Sequence, residues 1–291
     1  MRDLIIETDL GRDPDDFFAL CYLVEAGVRV RAVVISPGDH DQIAVARGLL
    51  HALDVEAPVG SARPESAKSS VGGVHHDFLA RYGYASRVAP DGWGHEVIAS
   101  VMREHPDTEL FVCGPMQSVG RYLAAGGAPF SRATVQGGFV PYAAHDRDIV
   151  RLERFEGRER AGTFNLNGDV KAALAFIACG TPARFVGKNV CHTVVYDEDV
   201  HAEMCAVTPR HRAGEILREF MGVYLQRHRE GKKFHDPTAA VCHLHPEVGA
   251  WLEGTPYRAS GEWGFRVEPS QHRGLIDVDR EALWRHLREG T

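Results

Sequence analysis

Runs of branched apolar residues alternate along this chain with stretches whose apolar positions recur every three or four residues. Leu4-Ile5-Ile6 reads as a short buried strand, broken by Gly11 and Pro14 before a helical pattern through Phe17, Phe18, Leu20, Cys21, Leu23 and Val24. Residues 28–36 predict a second strand ending at Pro37-Gly38-Asp39, residues 43–53 a helix, and Pro58-Val59-Gly60 a short third strand or turn. Residues 61–94 read as loop-rich. A helix is expected at 95–104, a strand at 109–113, a helix from about Ser118 and a strand at 133–136 that ends in glycine. Helices at 169–179 and 213–229 flank a strand at 183–186. Residues 263–276 read as a short terminal β excursion before a last helix at 280–289.

Strands alternating with helices predict an α/β fold: a mostly parallel central β-sheet flanked by helices, formed by a single domain over residues 1–291. In such sheets ligands bind beyond the carboxyl ends of the strands. Asp9 to Asp16, Asp39, Cys113 and Gln136 all fall at such ends. Composition changes this picture little. With 291 residues, 44% of them hydrophobic, the chain has ample length for a buried core, and its net charge of −7 argues against a nucleic-acid partner. It lacks an apolar run of about 18 residues, so a membrane partner is not expected. Met1-Arg2-Asp3 enters a strand with no signal-peptide layout. Six cysteines without CxxC spacing read as reduced core thiols, which points to a cytoplasmic protein.

Chemistry concentrates where the first strand ends. Asp9, Asp13, Asp15 and Asp16 crowd into one turn. Like charges this close repel unless a cation sits among them, and carboxylate oxygens suit calcium or magnesium. A solvated turn with a good helix cap is the other reading, although a cap needs a single aspartate. A second acidic position, Lys232-Lys233-Phe234-His235-Asp236-Pro237, precedes a helical pattern. It is either capping or one more carboxylate with a histidine suited to acid–base work.

These motifs, in order, resemble the inosine-uridine-preferring nucleoside hydrolases. Asp9-Leu10-Gly11…Asp15-Asp16 resembles that family's aspartate signature, and Ser36-Pro37-Gly38-Asp39 stands where it has glycine-asparagine. Val74-His75-His76 is similar to its histidine-bearing loop, Cys113-Gly114-Pro115 to its threonine-glycine-proline turn, and Phe164-Asn165…Asp169 to its Phe-Asn…Asp segment. Asn189-Val190-Cys191-His192 resembles Asp-Val-Thr-His, and His235-Asp236-Pro237 the late His-Asp-Pro. The resemblance implies calcium (Ca2+) held by Asp9, Asp16, Asp236 and the Cys113 carbonyl, with Asp15 as the general base for a water that attacks the anomeric carbon. It further implies sugar contacts from Asp39, Gln136 and Asn165, protonation of or a hydrogen bond to the leaving base by His235, and a homodimer or homotetramer. His75 and His76, in a glycine-rich loop, either touch the base or belong to a surface loop.

Several departures qualify what the resemblance implies. The aspartate turn is longer than the family's, so Asp13 can replace Asp15 or Asp16. Asp39 replaces an asparagine, Gln136 a methionine and Thr163 a glutamate that reads the 5′-hydroxyl. Residues 139–164 carry Arg147, Arg151, Arg154, Arg158 and Arg160, which suit a 5′-phosphate or form a solvated face paired with Glu153, Glu156 and Glu159. The expected substrate is therefore a nucleoside or related N-riboside. The alternatives are a 5′-phosphorylated or modified nucleoside, a magnesium-dependent phosphohydrolase, and a calcium-stabilised ribose-binding protein without turnover. Cys242, His243 and His245 as a soft-metal site, and Tyr82, Tyr84 and Trp93 as base-stacking groups, are weaker readings that packing explains as well.

Overall fold

The computed structural model describes residues 2–65, 69–82 and 88–290. Its strands are β1 (Asp3–Thr8), β2 (Arg29–Ile35), β3 (Val59–Ser61), β4 (Gly92–Trp93), β5 (Glu109–Val112), β6 (Ala133–Gln136), β7 (Ala183–Val186), β8 (Val195–Tyr196), β9 (Lys232–Lys233), β10 (Gly249–Ala259), β11 (Glu262–Val267) and β12 (Arg273–Val278). Its α-helices are α1 (Asp15–Glu25), α2 (His40–Ala52), α3 (Val74–Tyr82), α4 (Gly94–Glu104), α5 (Gln117–Ala124), α6 (Phe164–Gly168), α7 (Val170–Ala178), α8 (Lys188–Cys191), α9 (Glu198–Ala206), α10 (Arg212–Arg227), α11 (His235–Leu244) and α12 (Arg280–Glu289). One sheet of ten strands runs β11-β10-β12-β7-β6-β5-β1-β2-β3-β4, and β8 pairs with β9 apart from it. Only the pairs made by β10 are antiparallel within the large sheet.

Successive side chains of a strand point to opposite faces, and a sheet buried on both sides therefore has two cores. Leu4 and Ile6 of β1 join a cluster with Phe17, Leu20, Ile43, Phe220 and Val241, contributed by α1, α2, α10 and α11. Ile5 points the other way, to Ile98, Val119, Ala172 and Phe176 of α4, α5 and α7. Both layers use strands too apolar to face water.

Two expectations are corrected. The 61–94 stretch holds a helix, α3, and a short strand, β4, where a loop was expected; Phe78 of α3 packs edge-on to Phe17 and Phe220. Its apolar positions are few, so tertiary contact and not periodicity defines it. The 263–276 excursion belongs to the main sheet, because β12 pairs in parallel with β7 and carries β10 and β11 beyond it. Tyr84 lies outside the described residues.

Glu7, fully buried, ties the sheet to the loops above it. One oxygen accepts from Ser36 Oγ at 2.8 Å and the Ser118 amide at 3.1 Å, the other from the Val119 amide at 2.9 Å. Burial pushes its carboxyl up to about 7 against those hydrogen bonds. Gly114 fixes a second junction. A Cβ there would stand 2.6 Å from the Thr8 carbonyl carbon and 2.8 Å from the Asp9 nitrogen, so the turn after β5 lies against the end of β1 only without a side chain. Gly114→Ala is expected to lower stability by about 1–3 kcal/mol, read as a shift of the urea midpoint at unchanged slope.

Candidate active site

The carboxyl ends of β1, β5 and β6 and the N-termini of α1 and α11 face one cavity of about 560 Å³. Its walls include Asp9, Asp13, Asp15, Asp16, Cys113, Gln136, Asn165, His235 and Asp236. Helix N-termini carry partial positive charge, which favours carboxylates in the first turns of α1 and α11. Carboxylate oxygens of Asp15, Asp16 and Asp236 lie within 4.8 Å of one another, and all three residues are buried. Burial, then Asp16 and Asp15, pushes Asp9 well above the ordinary carboxylate range; burial, then Asp15 and Asp16, does the same to Asp236. Burial raises Asp16 to about 6, although Thr8 Oγ1 donates to its Oδ1 at 2.5 Å and the Asp9 amide at 3.2 Å. Oxygen donors packed this way, with too few protein cations among them, fit a hard divalent ion.

A buried protein cation stands beside the aspartates. Lys232 Nζ, nearly buried at the end of the β8–β9 ribbon, lies 2.6 Å from Asp13 and 3.4 Å from Asp15. Burial works against its charge, yet Asp15 and Asp13 hold its pKa above the ordinary lysine value. His235 Nδ1 stands 3.7 Å from Asp15 Oδ2, and burial followed by the Lys232 charge lowers its imidazole to about 4. On the opposite wall Asn165 Nδ2 donates to the Gln136 carbonyl at 3.0 Å and to Gln136 Oε1 at 2.8 Å, so these two amides fix each other.

Two expected substrate contacts lie elsewhere. Asp39 caps α2, accepting from the Asp41 and Gln42 amides at 3.1 and 3.0 Å with Oδ1, while its Oδ2 accepts from the Ser70 amide at 2.8 Å. Both oxygens are occupied by backbone, so it shapes the cavity wall without lining it. The His75 ring is fully buried and meets Phe17 edge-on; burial lowers its imidazole to about 4. It stands in the core because α3 turns it inward.

The insertion arginines also miss the cavity lining. Arg158 pairs with Glu262 and Arg160 with Glu159, Arg151 lies over Tyr142, and Arg154 lies over Phe155. Nor does Thr163 line it. His243 bonds Thr134 Oγ1 at 2.9 Å and His245 stacks on His286, so they do not converge on one ion. Tyr82 packs on Phe78, and Arg121 lies over Trp93.

Sequence reasoning missed several wall or support residues, Gln42, Arg12, Ser70 and Phe164 among them. Gln42 Nε2 donates to the Asp9 and Leu10 carbonyls at 3.2 and 2.9 Å, pinning the aspartate turn to α2. Arg12, Ser70 and Phe164, the last 75% exposed, line the cavity mouth. A glutamine three residues after Asp39 was a readable capping-box signal; the others had none.

The fold and its site define an α/β protein that gathers carboxylates beyond the carboxyl ends of parallel strands. The chain belongs to the inosine-uridine preferring nucleoside hydrolase family, whose sequence model matches residues 4–287. It is thus an N-ribosyl hydrolase of the glycosidase class. An uncharacterised protein of Aquifex aeolicus is 25% identical to it over 283 residues, 93% of each chain. Among solved structures, a plant nucleoside hydrolase superposes with a TM-score of 0.76 at 20% identity, covering 99% of this chain and 98% of its own. A purine-preferring ribonucleoside hydrolase from Gardnerella vaginalis gives 0.74 at 16%, with the same coverage.

Removing the Lys232 charge leaves Asp15 and Asp13 without their cation. Lys232→Met is expected to cost about 2 kcal/mol in chelator, measured by urea unfolding, with a smaller loss once calcium is added.

Proposed function

We propose that the protein hydrolyses the N-glycosidic bond of a nucleoside or related N-riboside with calcium, releasing free base and ribose. The observation that carries this reading is the convergence of Asp15, Asp16 and Asp236 within 4.8 Å, with His235 3.7 Å from Asp15 in the same cavity. Asp9, Asp16 and Asp236 would hold the ion, with the Cys113 carbonyl beside them. A calcium ion there would supply the charge that makes a nearby water more acidic. Asp15 would take the proton of the attacking water, whose oxygen bonds to C1′ as the C1′–N bond breaks. His235 supplies a proton or hydrogen bond to the departing base. Gln136 and Asn165 contact the sugar from the facing wall. A cytoplasmic location and a homodimer or homotetramer remain part of the reading.

Reducing-sugar release from purine and pyrimidine nucleosides and their 5′-monophosphates, with calcium and with chelator, tests it. Release is expected from nucleosides, abolished by chelator and lowered at least about 10²-fold by Asp15→Asn. Stabilisation by these ligands without any product would replace the hydrolase with a binder, and preference for monophosphates would move the substrate class. A second outcome follows from Asp16. Its carboxyl titrates near 6 in the ion-free protein, far above the ordinary 3.8, so protons compete with calcium below that pH. The rise in melting temperature produced by calcium should therefore be largest above pH 7 and shrink as pH falls through about 6. A calcium shift independent of pH would remove Asp16 from the ligand set.

A further inference from the structure

The segment between β6 and α6 builds its own small core from Phe139, Tyr142, Phe155 and Ala161. It touches the cavity indirectly, through His192 at the end of α8. The His192 ring lies between two others: Phe155 at 5.4 Å, tilted by 57°, and His235 at 5.2 Å, stacked within 18°. Its Nδ1 is 3.2 Å from Arg154 Nη1. A guanidinium only donates, so Nδ1 must accept, and the imidazole proton resides on Nε2. Burial, then the positive neighbours His235, Lys233 and Arg154, lowers this imidazole to about 3, consistent with a neutral ring. Nothing else described holds the His235 plane from that side, and its Nε2 is buried without a protein partner.

We propose that Arg154 and Phe155 hold His192 flat against His235, making His192 and Arg154 positioning residues for departure of the leaving base. The arginine-bearing segment then acts as a brace for the histidine and not as a phosphate receptor. The inference rests on the hydrolase reading, in which His235 serves the leaving base. A displaced ring would present its nitrogen off line, and only a leaving group that needs a proton would register the change.

The test compares inosine, or whichever panel nucleoside turns over fastest, with 4-nitrophenyl β-D-riboside, whose nitrophenolate leaves without a proton. Arg154→Ala is suited to it because the side chain is exposed and, among the described residues, its hydrogen-bond and ring contacts are those with His192 and Phe155. In the calcium-loaded enzyme the variant should lower kcat on the nucleoside about 10-fold, a fraction of the effect of a general acid. KM and turnover of the nitrophenyl riboside should stay unchanged, and Arg154→Lys, which keeps a donor, should recover most of the loss. Imidazole ¹⁵N NMR should find His192 as the Nε2–H tautomer, lost in Arg154→Ala. Equal losses on both substrates, no loss on the nucleoside, or an Nδ1–H tautomer in the unmodified protein would each overturn the proposal. If the unmodified protein cleaves neither substrate, the hydrolase reading has failed and the proposal falls with it; a correct tautomer beside a lost substrate difference would fail the proposal alone.

Discussion

Mutual repulsion among carboxylates in one buried cavity is the constraint around which this molecule is arranged. Burial and neighbouring carboxylates push Asp9, Asp16 and Asp236 above the ordinary carboxylate range. The fold opposes that repulsion with two helix N-termini, the Thr8 hydroxyl, the Lys232 ammonium and a place for a hard cation. The loops are held with matching care: Gln42 ties down the aspartate turn, Asp39 pins Ser70, and Gly114 lets β5 close on β1. Rigidity in the walls is what keeps like charges together when their own interaction would spread them.

How much of this was legible in the sequence varied with the range of the interactions involved. Strands β1–β3 and β5–β7 follow from local apolar period, and the first acidic turn announces itself by composition. Helix α3 escaped notice because its stability comes from Phe78 meeting Phe17 and Phe220, residues far away in the chain. The C-terminal strands were underestimated for a related reason: β12 joins the sheet through β7, a parallel pairing that leaves no turn signal, and β10 and β11 are placed only through β12. Asp39 and His75 show the same limit at the side-chain level. A residue type at a motif position says what chemistry is available there, while burial and backbone neighbours decide whether that chemistry faces a ligand.

Lys232 illustrates the reverse case. In the sequence it is one of two adjacent lysines before a His-Asp-Pro; in the fold it stands beside the general-base candidate, while Lys233 is exposed. Adjacent residues on a strand point to opposite sides, so one lysine of the pair had to turn inward. The short β8–β9 ribbon selects which one, and thereby sets the charge beside Asp15.

The end of the bracing segment also touches the rim of the sheet. Ala161 exchanges both backbone hydrogen bonds with Trp263 on the outer side of β11, the terminal strand. An open strand edge is a template for recruiting other chains. The residues that steady the histidine pair therefore also shield that edge, and shortening the segment to enlarge the cavity would bring a tendency toward self-association along with any change in substrate range.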